Sequence, residues 1–440
     1  MKQEDQAHAH FDRVMGRDGF SPGRTPQCSD AAGMPGWSLP PDLPELLRKS
    51  SGVGLGLRVL MYMFRGIRYG RLDVVLPNGE QRSFRGAERP DLHGVLNIRD
   101  RRMVRHVLRN GEVGFGEAYL DGLWDTPDLA SLLTVMHINE PHYKGPYEKN
   151  LFARLHGWWQ HRRRHNSKPN ARRNIEAHYD LGNEFYKMWL DETMAYSSAM
   201  FIQPSETLKD AQLNKFKLMY ERLELNAHDH LLEIGSGWGG FAIYAAQNSG
   251  CRVTSITLSR EQLEEARRRA ERAGVAERVQ FELRDYRDVL EQYDHVVSIE
   301  MYEAVGEEYW PDYFRAIRKA LKPGGRAAIQ GITISPAIFD NYRSKQDFIQ
   351  KYIFPGGMLA TPPLFMQRAA EAGLKCENPR FFARDYADTL AHWQRNVLAA
   401  REDIVRRFDE RFLRMWRYYL GYCESGFRTG SVDLMQLTLV

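Results

Sequence analysis

An α/β fold built on a mostly parallel sheet, with a small α+β domain ahead of it, is predicted by three observations. The first is a short apolar run, Leu231, Leu232 and Ile234, that breaks into Gly235, Gly237 and Gly240 before a helix-like segment. Such a run suits a strand buried on both faces, and the glycines permit a tight turn and close backbone approach. The second is the alternation after it, with strands expected at Arg252 to Thr257, Val279 to Leu283, His295 to Ile299 and Arg326 to about Gln330. The third is a hairpin signature from Leu72 to Phe84, in which Asn78 and Gly79 supply the turn between two alternating arms.

Taken in order, residues 1–40 are rich in Gly, Pro, Ser and charge without periodicity, and read as a disordered tail. A small domain follows over 41–145. It opens on a mixed segment, Leu43 to Tyr69, in which Leu55, Leu57, Val59, Leu60, Met61, Met63 and Phe64 are interleaved with Arg58, Arg65 and Arg68. Two readings stand: a basic amphipathic helix lying on an anionic membrane, or a helix packed on its own domain. Residues 146–173 form a linker carrying Arg162, Arg163, Arg164, Lys168, Arg172 and Arg173 with no acid among them. That run is either a solvated connection or a contact for anionic phospholipid headgroups. Residues 174–440 hold the alternating strands and helices, with Leu321 to Gly325 read as a turn and Met435 to Val440 as a closing strand. A helix is expected from Ser259, with Glu264, Glu265 and several arginines on its wet face.

Composition narrows the function. A net charge of +4 over 440 residues is too small for a general nucleic-acid binder. Cys28, Cys251, Cys376 and Cys423 are scattered, with neither metal-ligand spacing nor a disulfide framework, which points to a reducing compartment and no metal. The amino terminus lacks a signal-peptide core, and no apolar run approaches the roughly 20 residues of a membrane span. Membrane contact is therefore expected to be peripheral, from the cytoplasmic side.

The glycine turn fits the spacing G-x-G-x-x-G, so a dinucleotide is one candidate ligand. Such sites place a carboxylate at the end of the second strand, about 20 residues on, to hold a ribose. Here that strand runs out through Thr257, Leu258, Ser259 and Arg260 without one. Glu233, two residues before the first glycine, favours S-adenosylmethionine (SAM) instead. Ligands of open α/β sheets sit beyond the carboxyl ends of the strands, so Asp285 to Asp288 and Glu300 to Gly306 should meet the glycine turn in one crevice.

Seven segments then carry a family resemblance: His178 to Asn183, Met194 to Ser198, Glu233 to Gly239, Thr257 to Gln262, Asp285 to Arg287, Tyr352 to Gly356, and Tyr418 to Leu420. In order and at this spacing, the chain resembles the cyclopropane-fatty-acyl-phospholipid synthases and mycolic acid cyclopropane synthases. The resemblance implies a class I SAM-dependent methyltransferase fold, Rossmann-like, with a seven-stranded sheet. It implies that Tyr179, Tyr196 and Ser197 close over SAM, that Gly235, Gly237 and Trp238 shape its cradle, that Thr257, Leu258 and Gln262 hold its ribose, and that Asp285 and Tyr286 meet the adenine. Structural alternatives stand beside these roles: Tyr179 and Tyr196 as core aromatics, Asp285 as a helix N-cap. The expected partners are unsaturated phospholipid acyl chains at an anionic membrane surface, and a homodimer is compatible with the resemblance.

The implied chemistry is attack of an alkene on the SAM methyl, giving a carbocation that loses a proton as a cyclopropane closes. Water must be kept out and the cation stabilised without being trapped. In the family a bicarbonate ion takes the proton. Matched by motif, its holders here are Glu303, Ile332 and Tyr386, with Ser198 in place of a cysteine and Gln330 in place of a histidine. Serine and glutamine hydrogen-bond an anion but supply neither thiolate nor imidazolium. Either bicarbonate or Glu303 itself is thus the expected base, with a salt bridge or cap as the structural alternative for Glu303. A methyl- or methylene-branched product is the second reading. A small-molecule methyltransferase and a noncatalytic lipid scaffold are the rival classes.

Overall fold

A computed structural model describes residues 54–143 and 181–440. The tail, the basic residues between 162 and 173, and Tyr179 lie outside the described residues.

Helix α1 (Leu55–Phe64) leads into β1 (Tyr69–Val75) and β2 (Gln81–Arg85), which form the expected hairpin with Leu72 opposite Phe84. Gly79 sits at φ +84°, and its N–H donates to the Leu76 carbonyl at 2.8 Å. Strand β3 (Glu88–Ile98) runs parallel to β1, helix α2 (Met103–Leu120) follows, and β4 (Trp124–Asp125) completes a four-stranded sheet of order β2-β1-β3-β4. Helix α3 (Leu129–Ile138) is capped by Asp128, whose side chain accepts from the Ser131 N–H. The apolar face of α1, including Leu57, Leu60, Met61 and Phe64, is buried in one cluster with Leu72, Val74 and Leu96. This corrects the membrane-surface reading for the described part of that segment: the packed alternative is the one observed, because the sheet already covers the face a bilayer would need.

Helix α4 (Leu208–Leu223) precedes the larger sheet and starts in a reciprocal capping box between Thr207 and Asp210. Then come β5 (His230–Ile234), α5 (Gly240–Ser249), β6 (Arg252–Thr257), α6 (Arg260–Arg272), β7 (Val279–Leu283), β8 (Tyr293–Ile299) and β9 (Leu321–Ile334). Short helix α7 (Phe348–Tyr352), β10 (Cys376–Phe381), α8 (Ala383–Ala399), α9 (Glu410–Thr429) and β11 (Val432–Leu439) follow. The sheet has seven strands in the order β10-β11-β9-β8-β5-β6-β7. Strands β7, β6, β5, β8 and β9 are parallel, while β11 is antiparallel to both neighbours. The strand sequence reverses direction between β5 and β8, so their carboxyl ends open the crevice where such sheets bind ligands.

Strands β6 and β7 match their expected limits. Segment Leu321 to Gly325, expected as a turn, is instead drawn into β9, because Tyr293 pairs with Leu321 and a register shift before His295 absorbs the intervening residues. Strand β10 had no sequence signature: it is an exposed edge strand interrupted by Pro379 and by Asn378 at φ +51°. Glu265, expected on the wet face of α6, is buried and gathers Lys187, Arg268 and Arg272. Among the described residues no helix is long and apolar enough to cross a membrane.

Helix α9 joins the two sheets. Arg414 donates to the Tyr119 carbonyl at 2.5 Å and the Trp124 carbonyl at 2.8 Å, with its guanidinium 3.9 Å from the Tyr119 ring centroid. On α2, a Cβ at Gly116 would stand 2.7 Å from Phe348 and 2.8 Å from Tyr418. The next residue, Glu117, accepts from both Lys351 and the Tyr352 hydroxyl of α7. The apolar core therefore runs without a break from the small sheet to the crevice of the large one.

Candidate active site

Strand β5 is buried along residues 231–234, and its last residue delivers a turn in which Gly235 (φ +96°) and Gly237 (φ +47°) adopt conformations that side chains resist. The N–H groups of Gly235 and Ser236 both donate to the Ile256 carbonyl, which ties the turn to β6. A Cβ at Gly237 would meet nothing within 4 Å, so the turn faces open space, as a cradle for SAM requires. Glu233 does not reach that space. Its buried carboxyl accepts from Ser255 at 2.5 Å, and burial pushes it up to about 8, with the Ser255 hydroxyl and the Lys215 charge opposing. Glu233 thus braces β5 against β6 beneath the cradle.

At the end of β6, Thr257 donates to the Gln262 amide oxygen at 3.0 Å, and Ser259 caps α6 through the Gln262 N–H. Leu258 is half-buried beside them. Asp285 lies at the end of β7, where the Arg284 N–H reaches back to Thr257. It is the N-cap of a single turn, accepting from the Arg287 N–H at 2.9 Å, and both its oxygens bind the Arg287 guanidinium. Tyr286 is buried edge-on against Tyr313. Trp238 is a core residue in its side chain: the indole N–H donates to Asn183 at 2.6 Å and the ring lies 4.8 Å from Tyr186. Only its backbone belongs to the turn.

Tyr196 stands between Trp189 and Trp393, and its hydroxyl shares a 2.7 Å hydrogen bond with that of Tyr419 on α9. Ser197 is held from behind. The Lys215 ammonium donates to its hydroxyl at 2.6 Å and Gln212 to its carbonyl at 2.8 Å. Lys215 is fully buried, which lowers it to about 8, while Glu300, Asp191 and Glu233 pull the other way.

The residues matched to the bicarbonate site do converge, but on a carboxylate of the chain itself. Glu300, just past β8, accepts from the Ser198 N–H at 2.9 Å and the Gln330 amide at 2.7 Å on one oxygen, and from the Tyr386 hydroxyl at 2.6 Å on the other. Gln436 donates to the Gln330 carbonyl oxygen at 2.7 Å, which turns the amide nitrogen toward Glu300. The Ile332 N–H donates to Glu303. Ser198 contributes its backbone alone, since its hydroxyl donates to the Ala199 carbonyl. With these donors taken up by Glu300 and Glu303, the ring does not fit a bicarbonate ion, which corrects that expectation. Neither salt bridge nor cap engages Glu303 among the described residues, and its second oxygen is buried without a hydrogen-bond partner. Burial, reinforced by the Glu300 charge, pushes the Glu303 acid up to about 8. Burial also raises Glu300, against the pull of Tyr386, Lys215, Ser198 and Gln330.

Glu300 and Lys215 have no role in the sequence reading. Lys215 had a usable signal: it falls on the face of α4 shared by Ala211, Phe216 and Met219, where a solvated lysine does not belong. Glu300 falls in the expected crevice by its position at the carboxyl end of a strand, but nothing local to it marks the donors that converge from β9, α8 and the Ser198 segment.

Comparison with known proteins agrees with this geometry. The family model described as mycolic acid cyclopropane synthetase matches residues 166–437, more than half of the chain. Tuberculostearic acid methyltransferase UfaA1 of Mycobacterium tuberculosis is 39% identical over 375 residues, spanning 81% of this chain and 85% of that protein. The cyclopropane-fatty-acyl-phospholipid synthase of Escherichia coli K12 is 34% identical over 347 residues, spanning 78% and 86%. Among solved structures, mycolic acid cyclopropane synthase CmaA1 complexed with SAH and CTAB superposes with a TM-score of 0.58 at 28% identity, covering 61% of this chain and 97% of that one. The glycine cradle, the sheet order and these matches together place the chain in the mycolic acid cyclopropane synthetase family, as a SAM-dependent methyltransferase.

Proposed function

We propose that this chain adds the SAM methyl carbon to the cis double bond of an unsaturated phospholipid acyl chain and closes a cyclopropane ring. The observation that carries the reading is a half-buried carboxylate pair, Glu300 and Glu303, beside an aromatic wall next to the SAM turn. SAM supplies an electrophilic methyl group. Gly235 and Gly237 leave room for it, Thr257 and Gln262 lie toward its ribose, and Asp285 with Tyr286 toward its adenine. Tyr196 and Ser197 close the methionyl side. Tyr196, Trp393, Phe354 and Tyr419 offer ring faces whose quadrupole stabilises positive charge on the acyl chain without a lone pair to trap it. A carboxylate then removes the proton.

The basic residues of 162–173 supply the membrane side of this reading, at about 1 kcal/mol per residue near anionic headgroups. The names of two relatives divide over the product: one is a cyclopropane synthase, the other a methyltransferase. A methylene branch is an isomer of the ring and needs only a hydride shift before proton loss. A saturated methyl branch needs an added reductant. Expression in a host rich in unsaturated phospholipid, followed by lipid mass spectrometry and proton NMR, decides between them. Gain of one CH2 with upfield cyclopropyl protons is the expected result. Vinylidene protons would favour the branch, and unmodified lipid would overturn the reading. Liposome co-sedimentation with the six basic residues neutralised tests the surface contact, and unchanged binding at low salt would count against it.

A further inference from the structure

We propose that Glu300 is the built-in base of this enzyme: its carboxylate stands in for a bound carbonate-type anion, so turnover does not depend on bicarbonate. The inference rests on the lipid reading above and adds to it the identity of the proton acceptor.

Three independent features converge on Glu300. Its two oxygens are held by the donors of Ser198, Gln330 and Tyr386, which come from three separate parts of the chain. A fourth residue, Gln436, serves only to aim one of those donors. The second feature is backbone strain. Glu300 sits at φ +50°, a left-handed conformation that favours glycine and that an L side chain occupies at a cost. A residue that only tied β8 to β9 could do so from a relaxed backbone or be replaced by glycine. The third is charge. No Lys, Arg or His forms an ion pair with Glu300 among the described residues; Lys215, whose charge lowers it, donates instead to the Ser197 hydroxyl. Burial raises the basicity of Glu300 even though its three hydrogen bonds and the Lys215 charge pull the other way, and no direct ion pair is present to quench it.

The step balances without another reactant. The alkene π pair forms the new bond to the methyl carbon while the carbon–sulfur pair leaves with sulfur. A C–H bond of the transferred methyl then breaks, its electron pair closes the third ring bond at the cationic carbon, and the proton passes to a Glu300 oxygen. The acyl chain gains CH2, and Glu300 ends as the neutral acid. Its negative charge also stabilises the cation before proton transfer, a service a neutral base would not give.

Chemical rescue tests this with the full-length protein, SAM and vesicles of unsaturated phosphatidylglycerol, in carbonate-free buffer with and without added bicarbonate. Wild type should turn over at the same rate in both. Glu300→Gly relaxes the φ +50° backbone and empties the ring of donors, so it should keep its fold and SAM affinity. Its rate should fall roughly a hundredfold or more and recover at least about tenfold with bicarbonate or formate. Glu300→Gln refills the ring with a side chain that cannot accept the proton, and should stay inactive in both buffers. A wild type that needs bicarbonate, or a Glu300→Gly variant as fast as wild type without it, would overturn the assignment alone. A wild type that releases no modified lipid under any condition would overturn the lipid reading itself.

Discussion

The buried ammonium of Lys215 donates to the Ser197 hydroxyl at 2.6 Å, behind the segment that flanks the SAM turn. Burial penalises this cation while the carboxylates of Glu300, Asp191 and Glu233 compensate it, and its charge is expected to favour binding of the methionyl carboxylate of SAM as well. Lys215→Met keeps the length of the side chain and removes the charge. SAM affinity should fall about tenfold through loss of a nearby positive charge acting behind Ser197, while the melting temperature holds or rises. Because Lys215 sits at about 8, the wild-type protein should also lose SAM affinity between pH 7 and pH 9 as the ammonium deprotonates. Titration calorimetry across that range checks both, and a Met variant with the same pH slope as wild type would refute the role.

Glu303 makes a different kind of prediction. Its acid is raised from the ordinary carboxylate range to about 8, so the folded protein binds a proton there that the unfolded chain has released. That contribution to stability is present below about pH 4.5 and is lost as pH rises toward 8. Glu303→Gln keeps an acceptor for the Ile332 N–H and removes the buried charge. Its melting temperature should match wild type near pH 5 and exceed it near pH 8.5, while activity falls. Thermal melts at the two pH values decide it, and equal melting at pH 8.5 would show that burial does not strain Glu303.

What was readable from sequence divides along the same line as local and convergent structure. The β1–β2 hairpin and the limits of β6 and β7 depend on turn residues and apolar runs within a few positions, and they came through. Edge strand β10 did not, because Pro379 and its exposed residues carry no apolar pattern. The family match brought Tyr386, Gln330 and Ile332 together correctly as a cluster, yet pointed to the wrong occupant. Roles transfer only to positions where the family has one, and Glu300 fills the space by reaching into it from a strained backbone. That is a fact of three-dimensional placement rather than of any motif.

The last relationship links the small sheet to the site through α9, which carries Arg414 toward Tyr119 and Trp124 and, five residues on, Tyr419 against Tyr196. Arg414→Met takes the guanidinium donors from the Tyr119 and Trp124 carbonyls, of which the Tyr119 carbonyl keeps the Gly122 N–H, and removes the stacking on Tyr119; it should cost about 2–4 kcal/mol of stability. If α9 transmits that change, KM for SAM should rise several-fold although Arg414 lies away from the cradle. Tyr419→Phe provides the control at the near end. It deletes one hydroxyl, keeps the ring in the aromatic wall, and should raise KM for SAM without an equal loss of stability. Melting curves and initial rates on both variants test the coupling. An Arg414→Met protein that melts early but binds SAM normally would show that the small sheet stabilises α9 without positioning Tyr419.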